Sequence, residues 1–174
     1  MATMVSATTM VTPITQEFHA EVAITKRLLD CVPADKLTWK PHPKSMSLGQ
    51  LAGHMAAIPG RISRMAQEDS FDVLQGSFVP PQPNSLEEIL ASFEQSVRDA
   101  EQNLESLTDE RMAGTFRLMK GDKEMFRQPR AAIIRTIMLN HWYHHRGQLS
   151  VYLRLLDVHL PVIYGRSADT HPFA

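Results

Sequence analysis

Asn140-His141-Trp142-Tyr143-His144-His145-Arg146-Gly147-Gln148 carries three of the chain's eight histidines within five positions. His141 and His145 are four apart, which on a helix sets both imidazoles on one face, one turn apart. Extended both ways, that face reads Ile134, Met138, His141, His145, Gln148, Tyr152 and Leu155, at 4-3-4-3-4-3 spacing. This is the apolar seam of a bundle helix with two histidines and a glutamine in its middle. Polar rings buried there are costly unless each nitrogen finds a partner. A metal ion is one such partner; a solvated cluster, or rings satisfied by one another and by carbonyls, is the plainer alternative. Gly147, a mid-helix glycine costing about 1 kcal/mol against alanine, points to close approach by a neighbouring helix.

The rest of the chain bounds what such a helix can belong to. At 174 residues and 19.6 kDa it is one domain with enough length to bury a core. Lys+Arg 18 against Asp+Glu 19 leaves it near neutrality, with no basic block of the kind that binds nucleic acid. The single cysteine, Cys31, excludes an internal disulfide framework and reads as small core filler. No apolar run approaches membrane-spanning length, and residues 1–14, which lack Lys and Arg, read as a flexible leader, not a secretory signal. The expectation is a cytoplasmic protein with a small-molecule substrate and neither nucleic-acid nor membrane partners.

Four amphipathic helices are expected within a single domain, residues 15–174. The first runs from about Thr15 to Val32 on a Phe18, Val22, Thr25, Leu29, Val32 stripe and stops at Pro33. An ordered loop follows, in which Trp39 plugs the end of the bundle. Ser47 is a good N-cap for the second helix. Its stripe is Leu48, Leu51, Met55, Ile58, Ile62 and Met65, with His54 about 40° off at the margin and Pro59 kinking the helix beyond. Residues 67–84 are too long for a helix–helix turn and end in Pro80-Pro81-Gln82-Pro83, so they can cross the length of a bundle. The third helix, capped by Asn84 or Ser85, carries Leu86, Leu90, Phe93, Val97, Ala100 and Leu104. Residues 108–129 suggest a short hairpin or structured loop. The fourth helix, beginning near Pro129 to Ala131, holds the histidines. The fold class expected is all-α, a four-helix bundle.

Two imidazoles at i,i+4 and one from a facing helix present three nitrogens to a metal and leave a coordination position open. His54, the other mid-helix histidine near a core margin besides His19, is the candidate third donor. Such a set suits zinc, nickel, copper and iron alike. Because neutral imidazoles leave the ion's charge uncancelled, an anionic fourth ligand is favoured. The register of His144 (Ile133, Ile137, Asn140, His144, Gly147, Val151, Arg154) is more polar and places it beside the site or on a helix contact. Gln148 is a candidate to orient a water or a histidine. Arg146 reads as a surface or interface charge, and Glu17 and Glu21 are the available general-base candidates. No catalytic residue is assigned.

Leu48-Gly49-Gln50-Leu51-Ala52-Gly53-His54-Met55-Ala56, the His141-Trp142-Tyr143-His144-His145-Arg146-Gly147-Gln148 run, the Leu37-Thr38-Trp39-Lys40-Pro41 loop and the Leu160-Pro161-Val162-Ile163-Tyr164-Gly165 tail resemble the DinB/YfiT-like metalloenzymes. The resemblance implies an up-down-down-up four-helix bundle with a long crossover between helices two and three. It also implies a divalent metal, nickel or zinc, on His54, His141 and His145, and a homodimer with the site near its interface. Activity in the family includes transfer reactions that use low-molecular-weight thiols. The expectation is therefore a metal-dependent thiol S-transferase or hydrolase, the alternative being a non-catalytic metal-binding or structural dimeric bundle.

Overall fold

The computed structural model describes residues 10–76 and 79–170. Four long helical stretches make up most of it: α1 (Val11–Leu29), α2 (Leu48–Met65), α3 (Leu86–Glu105), and a final run from α5 (Arg130–Ile133) through a π-helical segment (Ile134–Asn140) into α6 (His141–Leu155). A short α4 (Asp109–Ala113) follows α3. Helix α1 starts four residues before the expected Thr15. Pro13 sits in its first turn, where the missing N–H has no intrahelical acceptor to lose. The rest of the expected leader, residues 1–9, lies outside the described residues.

An all-α reading is incomplete. Strands β1 (Ser70–Asp72), β2 (Thr115–Lys120) and β3 (Lys123–Pro129) form a sheet in the order β1-β2-β3, with β1 parallel to β2 and β3 antiparallel to it. Residues 115–129 are thus the hairpin expected, turning at Gly121 with φ +57°. Strand β1 was not legible, because three residues inside a long connection carry no period to read. It exists as the edge of β2, pairing Ser70–Asp72 with Arg117–Met119. Arg130 anchors this end: its guanidinium donates to the Ala66, Glu68 and Arg111 carbonyls, closing the C-terminus of α2 and tying in α4.

Local signals explain the helix starts. Ser47 accepts from the Gln50 N–H while Gln50 Oε1 accepts from the Ser47 N–H, a complete capping box. Ser85 caps α3 by accepting from the Glu88 N–H. Trp39 packs edge-on against Tyr152, ring centroids 5.8 Å apart, at the end of α6 as expected of a plug.

The seam read for the last helix holds at its start and fails further on. Ile134 and Met138 are fully buried, but Leu155 is 58 % exposed and Gln148 is also exposed. The buried line runs Ile134, Met138, Trp142, Arg146, then Leu149 and Leu153. Its stride of four through residue 146 fits the wider turn of the π segment, which puts the core one residue later than heptad counting places it. His141 and His145 therefore flank the seam, on the side that faces α2.

Pro59 and Trp142 lock α2 to α6. Proline has no N–H, so the Met55 carbonyl four residues earlier loses its helical donor. The Trp142 indole Nε1–H fills that gap at 3.0 Å. The next N–H, Gly60, donates instead to Ser96 Oγ on α3 at 2.8 Å. A Cβ at Gly60 would stand 3.0 Å from the Ser96 backbone, so glycine is what lets the two helices touch here.

Candidate metal centre

The interlock above holds α2 and α6 in register. Met55 and Trp142 are the immediate neighbours of His54 and His141, so the indole bond fixes one against the other. His54, His141 and His145 meet with donor nitrogens all within 4.8 Å of one another. Imidazole–metal bonds of about 2.0–2.1 Å close on one centre from that spread with a small side-chain rotation. The His54 ring lies 5.3 Å from that of His141 and 4.7 Å from that of His145, centroid to centroid. No other group of three His, Cys, Asp or Glu side chains gathers this way among the described residues.

Proton bookkeeping tests whether these residues fit a cation. Gln148 Oε1 accepts from His145 Nδ1 at 2.7 Å, so that nitrogen carries the proton and Nε2 presents a lone pair. Nε2 of His145 is 2.7 Å from Nε2 of His141. Without a cation, His141 must donate from Nε2, which leaves a bare lone pair on its Nδ1. That atom is buried and has no hydrogen-bond partner. A cation accepting both Nε2 lone pairs would return the proton to His141 Nδ1. The Ile137 carbonyl already favours a protonated ring there. The donor set fits a divalent ion better than it fits itself.

Electrostatics keep the donors ready. Burial, then the neighbouring His145, His141 and Arg61, pull His54 down to about 4. His145 is drawn to about 4 by burial, against the opposing Gln148 bond, and His141 is lowered chiefly by burial. All three are neutral near pH 7, the form that binds metal. His144 is exposed, its ring 5.0 Å from His145, beside the cluster as expected but outside it.

Three sequence readings change. Arg146 is no surface charge. It is 1 % exposed, pairs with Glu21 Oε2 at 2.5 Å, donates to Thr25 Oγ1 and the Tyr164 hydroxyl, and lies between the Tyr143 and Tyr164 rings. Glu21 is therefore committed, as is Glu17, held by Arg135 at 2.5 Å and by the Tyr143 hydroxyl at 2.8 Å. A Cβ added at Gly147 would meet no atom within 4 Å, so no neighbouring helix accounts for that glycine. A cleft of about 1080 Å³, lined in part by His54 and His141, opens from the cluster along α2. Apart from the length of the 67–84 connection, no sequence pattern announces it.

The fold and sequence have relatives. The chain resembles a DinB-like protein from Bacillus subtilis with a TM-score of 0.68 and 20 % identity, covering 89 % of this chain and 99 % of that one. A DinB-like protein from Bacillus cereus ATCC 10987 gives 0.67 and 22 %, covering 87 % and 95 %. No curated protein matches the sequence. The DinB superfamily matches residues 17–149, from α1 through the histidine helix, and the chain belongs to that superfamily.

Proposed function

We propose that this chain is a metal-dependent enzyme that uses a divalent ion, nickel or zinc, on His54, His141 and His145 to activate a thiol or water for S-transfer or hydrolysis. We read its four long helical stretches as the up-down-down-up DinB bundle. The observation that carries the functional reading is the stranded Nδ1 of His141, a buried nitrogen without a hydrogen-bond partner beside a short His141–His145 nitrogen contact that a cation would relieve. The chain's own residues do the positioning. Gln148 holds the proton on the far nitrogen of His145, and Trp142 sets His141 against His54. Burial keeps the rings unprotonated, and an open cleft on one side admits a low-molecular-weight thiol or other small substrate.

Metal content of a tag-free preparation tests this directly. About one divalent ion per chain, lost in His54→Ala, His141→Ala and His145→Ala, is expected; stoichiometrically metal-free protein that cannot be loaded overturns it. The non-catalytic alternative, an ion that merely fastens α2 to α6, predicts a large fall in melting temperature when the ion is removed and no turnover of thiols with electrophiles.

A homodimer is supported by one surface. Val151 and Leu155, 57 % and 58 % exposed, continue the α6 face that carries His144 and Gly147. No described helix is long and apolar enough to cross a membrane.

A further inference from the structure

The cleft beside the histidines is large for a water or a two-carbon thiol, and its walls say what fills it. Along α2 it is lined by His54, Ala57, Arg61 and Met65, a single helical face about 16 Å long at 1.5 Å per residue. Facing these are Phe71 and Leu118 from the sheet, and Pro80 and Pro83 from the crossover. Ile89 and Ile137 line it as well, Ile137 one turn before His141. Prolines offer no N–H, so those two positions give an occupant no backbone donor. The charges bordering the cleft come in both signs. Arg64 is paired with Asp99 at 2.9 Å, Glu88 accepts from the Asn84 backbone N–H at 2.8 Å, and Arg61 on α2 and Glu68 just beyond its C-terminus border the cleft too. A volume of this order matches sites that bury a drug-sized, mainly apolar ligand.

We infer that the cleft binds the apolar body of an amphiphilic substrate, its metal-binding thiolate or oxyanion head at His54, His141 and His145 and an alkyl or aryl chain running along α2 toward Phe71 and Leu118. The head-group half of this assignment rests on the metal reading above. The chain half rests on the cleft alone. The two are joined because the cleft is continuous with the cluster: His54 and His141 belong to both. A substrate whose reactive end is at the histidines has its remainder in this space.

Linear alkyl hydroxamates separate the two halves, because their head chelates zinc and their length can be varied. Calorimetric titration of zinc-loaded full-length protein with acetohydroxamate, butanohydroxamate and octanohydroxamate should show affinity rising about threefold per methylene, so that the eight-carbon compound binds at least about 100-fold more tightly than the two-carbon one. Ala57→Trp, which fills the cleft next to the histidines, should abolish that length dependence while leaving acetohydroxamate affinity and zinc content unchanged. Should Ala57→Trp misfold, Leu118→Ser, on the sheet wall, should weaken the octano compound several-fold and leave the aceto compound alone. Affinity that is flat with length in the wild type, or that rises equally in both variants, overturns the assignment. A parallel titration of EDTA-treated protein with 8-anilinonaphthalene-1-sulfonate, competed by decanol, reads the cleft without metal. Binding there that Ala57→Trp removes, in protein that takes up no zinc, would sink the metal reading and keep the cleft. Loss of chain binding with zinc fully bound would do the reverse.

Discussion

Helix α6 carries two polar clusters on different faces, and only one of them is complete. Toward α1, Arg146 meets Glu21, Thr25 and Tyr164, and every charge has its opposite. Toward α2, one residue away in sequence, His145 and His141 share a single short nitrogen–nitrogen contact and leave a buried nitrogen without a partner. The first set takes charges out of water, at a far higher cost than the neutral rings of the second. A self-satisfied cluster is what a fold uses to hold itself together. An unfinished one leaves a position that a further group can take. The family assignment is consistent with that difference, but the difference itself lies in the proton count.

The largest effect should follow from breaking the complete side. Arg146→Met leaves the Glu21 carboxylate buried without its cation and should cost about 3–5 kcal/mol in urea denaturation. The double variant Arg146→Met/Glu21→Leu should recover much of that, since the charge it strands is gone. On the incomplete side, His141→Ala in metal-free protein should change stability by no more than about 1 kcal/mol, because it removes an unsatisfied atom along with the ring. Equal losses on the two sides would erase the contrast.

Next in size is the bond that holds the two helices in register. Trp142→Phe removes the donor to the Met55 carbonyl and opens a gap in a fully buried site, costing about 2–4 kcal/mol. Adding Pro59→Ala to that variant restores a helical N–H to the same carbonyl and should return part of the loss. The same substitution in the wild-type background has no vacant acceptor to fill. A double-mutant cycle without such coupling would show that the proline and the indole act separately.

A smaller effect is expected on affinity alone. Gln148→Leu leaves the His145 ring free to change tautomer and turn, and should weaken zinc binding about 10–100-fold with little change in melting temperature. Gln148→Glu keeps an acceptor at the same place and should bind zinc at least as well as wild type. Competition against a fluorescent chelator measures both.

Much of this is legible in the chain itself, and the parts that are not share a cause. The spacing of His141 and His145, the cap at Ser47 and the placement of His54 beside the Leu48–Met65 stripe are local patterns, and the structure brings those three histidines together. What escapes are relations between distant segments. Arg146 looks like a surface charge until Glu21, far earlier in the chain, is seen against it. Trp142 looks like ordinary core until Pro59 is seen to have vacated its acceptor. The one-residue offset of the last seam comes from a π segment, which heptad counting cannot register because it assumes the helix it measures. Strand β1 exists only as a partner to the hairpin.

Protonation sharpens the comparison more gently. In metal-free protein His54 and His145 titrate at about 4, while unfolded imidazoles titrate near 6.5. Between those values the unfolded chain holds more protons, so stability is full above about pH 6.5 and declines as the pH falls toward 4. The melting temperature of EDTA-treated wild type should fall across this window more steeply than that of His54→Ala/His145→Ala. Parallel curves would mean the rings are not held neutral by burial.

Gly147 gives the smallest effect and the most direct reading of the exposed α6 face. It lies mid-helix between Arg146 and Gln148, yet a Cβ there meets nothing within 4 Å. In an isolated chain, Gly147→Ala should therefore raise stability by about 0.5–1 kcal/mol, the ordinary gain of helix propensity. If a second copy packs on the stripe formed with Val151 and Leu155, the methyl intrudes at the contact instead. The variant would then show a weaker dimer by sedimentation and no gain in melting temperature at high concentration. Stabilisation that is independent of protein concentration would place this face in solvent and remove the surface support for a dimer through α6.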